Sequence, residues 1–205
     1  MTFATMSPPA AALMLDWLLP EFDATIVEHR VVEGDPESIY RAVATLDMVE
    51  IPNAYPAVRA LFAARDVAER IVGALLGRPM PTEEPDGPMR LGELPEQGEW
   101  VKLAEEEPHE IAFGVIGRFW SGGTEWRTID AHEFVAFDEP GFAKIACSVS
   151  LRPYGTARTL VSYEARTQAL ASDSRAHFLR YWRVVRPGVA IVMRAFLHAV
   201  AEEVR

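Results

Sequence analysis

The sequence predicts an α+β fold: a curved antiparallel sheet of about seven strands wrapped on one long C-terminal helix, with two shorter helices after the first strand. Three observations predict it. Two strand-like runs, Phe142–Leu151 and Thr156–Leu170, are joined by a tight Pro153-Tyr154-Gly155 turn, the punctuation of a hairpin. They feed into a stretch from Ser172 to the C-terminus in which Phe178, Trp182, Val185, Val189, Val192 and Phe196 recur at four-three spacing, the signature of an amphipathic helix. Upstream, a run rich in β-branched residues, Ala24–Glu33, is followed by two shorter helical patterns.

In chain order, Pro8–Leu19 reads as a short helix with Ser7 as its N-cap and Pro8 at the first helical position. Residues 1–21 form an N-terminal extension and 22–205 one domain. After the Ala24–Glu33 strand, Asp35-Pro36-Glu37 supplies a cap, a first-turn proline and a first-turn acid for a helix over Pro36–Leu46. A second helix starts at Asn53, buries Val58, Leu61, Phe62, Ala68, Val72 and Leu75, and stops at Gly77. The proline- and glycine-rich stretch Gly77–Gly98 reads as a flap containing a short edge strand at Met89–Leu94. Strands then follow at Trp100–Glu106, Glu110–Trp120 and Asp130–Asp138. Hairpin-length links make these a meander.

The helical stripe passes through Pro187-Gly188 without losing phase. A proline there removes a backbone hydrogen bond and crowds the carbonyl four residues earlier. Unbroken phase therefore predicts a kink within one helix rather than a stop. Ser172-Asp173-Ser174 is its expected N-cap.

Alternation separates the two faces of the sheet. Arg158, Ser162, Glu164 and Arg166 share the outer face of the last strand, so Thr159, Val161, Tyr163, Ala165 and Thr167 point in. In the strand before it Lys144, Ser148 and Ser150 point out, and Ala143, Ile145, Cys147, Val149 and Leu151 in. Glu110 and Arg118 mark the outer face of Glu110–Trp120, which leaves Ile111, Phe113, Val115, Gly117 and Phe119 inside. Within Asp130–Asp138, Phe134 is assigned inward. The inner face is apolar with few hydroxyls, which suits a small-molecule pocket. Its expected lining is Phe113, Val115, Phe119, Ile145, Cys147, Val149, Thr159, Val161 and Tyr163 from the sheet, with Trp182, Val185 and Val189 from the helix. Arg118 and Trp120 are placed to line its mouth.

A net charge of −10 at 49% hydrophobic and 24% charged residues excludes a nucleic-acid binder that relies on excess Lys and Arg. Cys147 is the single cysteine, so no internal disulfide forms and a cytoplasmic location is the default expectation. In an apolar strand such a cysteine reads as core. Stable membrane insertion is not expected from the sequence. His29, His109, His132, His177 and His198 are scattered without metal-ligand spacing, and no phosphate-binding motif occurs, so neither metal nor cofactor is expected. Gly114-Val115-Ile116-Gly117 lies within a strand, where glycines mark bends or close packing.

The order strand, two helices, meander and long closing helix resembles the START-like helix-grip superfamily of pollen-allergen-like proteins, polyketide cyclases and lipid-transfer domains, over roughly residues 22–205. Segments 113–120 (FGVIGRFW) and 181–188 (YWRVVRPG) resemble an uncharacterised bacterial branch. The resemblance implies a hydrophobic cavity between sheet and final helix, without implying one activity. The leading expectation is binding or transport of a lipid, polyketide or isoprenoid-like molecule with weak catalysis or none. One alternative is a polyketide cyclase or aromatase, cyclase/dehydratase-like in its chemistry, using Tyr163 as proton donor or acceptor. Another is an interaction or stress module with a closed cavity, contacting partners, or a second copy in a homodimer, through the N-terminal helix and the acidic 83–110 segment.

Overall fold

The computed structural model describes residues 12–60, 63, 87–119 and 125–205. The elements are α1 (Leu15–Leu18), β1 (Ala24–Glu33), α2 (Pro36–Thr45), α3 (Ile51–Ala54), a 3₁₀ turn (Leu91–Glu93), β2 (Gln97–Gly98), β3 (Val101–Glu106), β4 (Glu110–Arg118), β5 (Glu125–Arg127), β6 (Ile129–Asp130), α4 (Ala131–Ala136), β7 (Ala143–Pro153), β8 (Arg158–Ala169) and α5 (Ser172–Glu203). The main sheet is antiparallel with the order β1-β8-β7-β4-β3, and β5 extends the β3 edge of β4. The α+β class, the sheet and the long helix packed on it agree with the sequence.

Local chemistry explains the elements that were legible. The Asp35 side chain accepts a hydrogen bond from the Ser38 N–H at 2.9 Å, with Pro36 starting α2. The β7–β8 turn closes through the Tyr154 N–H to the Arg158 carbonyl, with Gly155 at φ 70 and Ala157 at φ 54. Register pairs Cys147 with Ala165, Val149 with Tyr163 and Leu151 with Val161. Residues opposite one another across an antiparallel pair share a face, so the inner-face assignment of these strands holds.

Four expectations fail. Asp130–Asp138 is not a strand: after the two-residue β6 it is helical. The Asp130 carboxylate accepts from the Glu133 N–H and the Glu133 carboxylate from the Asp130 N–H, a capping box that turns the chain into α4. Phe134, fully buried, therefore packs against the outer face rather than inside. Met89–Leu94 makes a bridge of Arg90 to Asp47 and then the 3₁₀ turn. The N-cap of α5 is Ala171, without a side-chain bond. Of the Pro8–Leu19 helix only Leu15–Leu18 is helical among the described residues, because Glu110 and Arg166 fix its ends there. The expected second helix is interrupted: α3 ends at Ala54, extended Tyr55 follows and residues 56–60 are helical again with Val58 buried, whereas Leu61, Phe62, Ala68, Val72 and Leu75 lie outside the described residues, as do 77–86 of the expected flap and Trp120. Its described part is packed, with Leu91 fully buried.

Both faces of the sheet are covered. On the inner face α2, α3 and α5 bury a core containing Ile39, Val43, Phe113, Val149, Val161 and Phe196. On the outer face α1 and α4 bury Leu15, Leu18 and Phe134 over Ala112, Ile116 and Ala146. Lys144, Ser148, Ser150, Glu110 and Arg166 do point outward, yet all are buried beneath these covers. Gly114 admits the cover: a Cβ there would stand 3.0 Å from the Phe134 ring and 2.7 Å from Leu103.

Candidate functional site: the inner face under the long helix

The two halves of α5 meet the sheet differently. In the second half Met193, Phe196, Leu197 and Val200 are all buried, and the Phe196 ring lies edge-on to Tyr163 at 5.4 Å. In the first half only Phe178 is fully buried on the sheet side, against Ala24 and Ala169. Trp182, Val185, Val189 and Val192 continue the same stripe and stay half-buried. Beneath them Ile145 and Ala165, on neighbouring strands, are half-buried too. The proline-containing helix is continuous from Ser172 to Glu203.

An aromatic group closes one end of this surface. Phe119 stands 6.3 Å from Trp126, 6.1 Å from Phe178 and 5.7 Å from Tyr181, and Phe178 stands 6.0 Å from Trp182. Gly117 makes room for Trp126, its cross-strand partner, since a Cβ at 117 would lie 2.3 Å from the indole. Trp126 was missed from sequence; the signal was a glycine facing an isolated tryptophan one short strand away.

The expected lining divides into two sets. Phe113, Val115, Val149, Thr159 and Val161 are sealed, at 0 to 1% exposure, and Cys147 and Tyr163 nearly so. Phe119, Ile145, Trp182, Val185 and Val189 are half-buried. Thr159 is satisfied by the Gly34 carbonyl at 2.9 Å. Arg118 donates to the Gly141 carbonyl at 2.9 Å and stacks on the Phe142 ring, a structural role at a strand end.

Electrostatics follow from burial. Desolvation pushes the Cys147 thiol up to about 12, only partly offset by its hydrogen bond with Tyr163. The Tyr163 hydroxyl is raised well above its usual range, first by burial and then by Cys147. Both stay protonated at neutral pH, so Tyr163 can donate a hydrogen bond, while its raised pKa makes it a weak acid and leaves no phenolate to accept a proton. Glu28, opposite Tyr163 in the β1–β8 register, is a second inner-face group that sequence missed. Arg194 on α5 clamps it through two bonds of 2.8 Å. Among the described residues no cluster of His, Cys, Asp and Glu has the makings of a metal site. Two surface hollows lie elsewhere: about 380 Å³ beside Pro20, Phe22, Asp23 and Arg175, and about 420 Å³ beside Arg127, Ile129 and Phe137.

No family model matches this chain, and no curated protein matches it. Among solved structures it is similar to a conserved protein from Geobacillus kaustophilus, at 10% identity over 88% of this chain and 95% of that chain, TM-score 0.42. A hypothetical protein from Helicobacter pylori aligns at 10% identity over 98% and 100%, TM-score 0.43. An aromatase/cyclase from a Streptomyces species aligns at 10% identity over 89% and 96%, TM-score 0.30.

Proposed function

We propose that this protein binds a small apolar molecule between the inner face of its sheet and the first half of α5. The observation that carries the reading is the contrast along one helix: the same stripe is sealed at Phe196 and half-buried at Trp182 and Val189. An apolar surface left half-covered inside a fold gains from an apolar occupant at about 25 cal/mol per Å² removed from water. Few polar groups face it, so recognition rests on shape and aromatic contact, as for a lipid-, polyketide- or isoprenoid-like molecule. A cyclase would need a proton acceptor beside Tyr163, and Glu28, its register partner, is engaged by Arg194, which favours binding over catalysis.

The test is native mass spectrometry of freshly purified protein, with titration of a polarity-sensitive dye. A retained apolar mass and a dye Kd in the low micromolar range (roughly −8 kcal/mol) are expected. Ala165→Trp and Val189→Trp should fill the space and weaken dye binding at least about tenfold. Folded variants that bind dye unchanged overturn the reading.

A further inference from the structure

We infer that the outward face of the first half of α5 docks on an anionic phospholipid surface. In a chain of net charge −10, the stretch from Ser174 to Ala201 holds Arg175, Arg180, Arg183, Arg186 and Arg194 and no acid. Arg175 is paired with Asp23 and Arg194 with Glu28. Arg180, Arg183 and Arg186 are exposed and have no ion-pair partner among the described residues. Set among them Val184 points to solvent at 79% exposure, and Ile191, seven residues on, is 37% exposed.

Exposed valine and isoleucine flanked by arginines that are unpaired among the described residues are what an interfacial helix presents, apolar groups for the acyl boundary and cations for the headgroups. Charge complementarity selects the occupant. A neutral surface offers these three cations no counter-charge, and the acid-rich remainder of the protein is repelled by an anionic bilayer, so only this face turns toward it. The helix contains a segment long and apolar enough to cross a membrane, a third of it buried within the fold. Its inward stripe rests on the sheet, so adsorption in the interface plane fits and spanning does not. The inference rests on exposure and charge and stands apart from what the interior holds. Where both hold, the docked face lies on the same helical segment as Trp182 and Val189, so cargo would exchange beside the bilayer.

The test is sedimentation of the full chain with vesicles of phosphatidylcholine alone and of equal parts phosphatidylcholine and phosphatidylglycerol. Binding is expected only to the second, falling as salt rises. Each basic side chain near such a surface contributes roughly a fivefold gain, so Arg180→Gln/Arg183→Gln/Arg186→Gln should weaken partitioning about 100-fold. Val184→Asp should also release the protein, whereas Arg205→Gln should change it about twofold or less. All these side chains are exposed, so circular dichroism melting should be unchanged. Equal partitioning of the triple variant, or no binding by the parent chain, overturns the inference. So does gel filtration showing a dimer that Val184→Asp dissociates, since the face would then meet a second copy. Loss of dye binding with vesicle binding intact would sink only the interior reading.

Discussion

Arg166 donates from Nη1 to the carbonyl oxygen of Leu15 at 2.8 Å, joining the last strand to the first helix. The same guanidinium reaches the Leu19 carbonyl, the Asp16 carboxylate at 2.7 Å and the Glu164 carboxylate at 2.7 Å. At the opposite end of α1 the Glu110 carboxylate accepts the Met14 N–H at 3.1 Å. A four-residue helix is thus held by an anion at its N-terminal end and a cation at its C-terminal end, each complementing the helix dipole.

This clamp predicts that Arg166→Met destabilises the protein by about 3 kcal/mol, because it strands the Glu164 carboxylate, 12% exposed, and two carbonyls together. The midpoint of thermal unfolding should fall by roughly 6 to 12 °C. Asp16→Asn, at a partner 48% exposed, should cost about 1 kcal/mol or less. Chemical denaturation of both variants checks the order; equal costs would show that Arg166 acts only through Asp16.

The two carboxylates of the clamp give stability opposite dependences on pH. Burial raises the Glu110 pKa despite bonds from Met14 and Ser148. Its contribution is complete below the unfolded pKa and is lost as pH rises through the folded one. The Arg166 hydrogen bond lowers the Asp16 pKa, so its contribution is present above the unfolded pKa and lost as pH falls through the folded one. Glu110→Gln should therefore gain on the parent chain as pH rises above the ordinary glutamate range. Asp16→Asn should flatten the acid limb. Unfolding free energies from pH 2 to 8 on the three proteins measure both slopes.

Much of the fold was legible because its signals are local. The alternation of Thr159, Val161 and Tyr163 against Ser162 and Glu164, and the Asp35-Pro36 start of α2, are decided within a few residues. What failed was decided across space. Nothing near Lys144 or Ser148 says that α1 and α4 will cover them, because an outward polar side chain looks the same on a wet face and beneath a polar clamp. The Asp130–Glu133 capping box was present in the sequence, but the β-branched and aromatic residues after it were read as a strand. The candidate site was half legible for the same reason. Alternation identifies the inward residues, while the difference between sealed Val161 and half-buried Ile145 depends on where each half of α5 comes to rest.

Cys147 stands on β7 between sealed Val149 and half-buried Ile145. It is buried, with its thiol pushed up to about 12, so a thiol reagent at pH 8 should label it only through unfolding. The labelling rate in denaturant should track global unfolding, and an added dye should not protect it beyond its effect on stability. Rapid labelling of the native protein would mean that the open space reaches Cys147 and Tyr163.

Pro187 tests whether the shape of α5 matters. The ring sits on the exposed side of a helix that is continuous across it. Phe178, nine residues earlier, is buried against Ala24 and Ala169 near one end of the sheet, and Phe196, nine residues later, against Tyr163. In an unstrained helix Pro187→Ala would return about 3 kcal/mol. If Pro187 bends α5, as the unbroken stripe predicts, a straightened helix would have to lift either Phe178 or Phe196 from its seat, and exposing one phenylalanine costs about 1.5–3 kcal/mol. The terms nearly cancel, so Pro187→Ala should change stability by less than about 1 kcal/mol. Relief of the predicted bend should also shift Val185 and Val189 relative to Ile145 and Ala165, and so weaken dye binding severalfold. Denaturation and dye titration of one variant give both numbers. A gain near 3 kcal/mol with unchanged affinity would show that the two phenylalanines sit on the sheet without needing the proline, and that the space beneath α5 does not depend on its course.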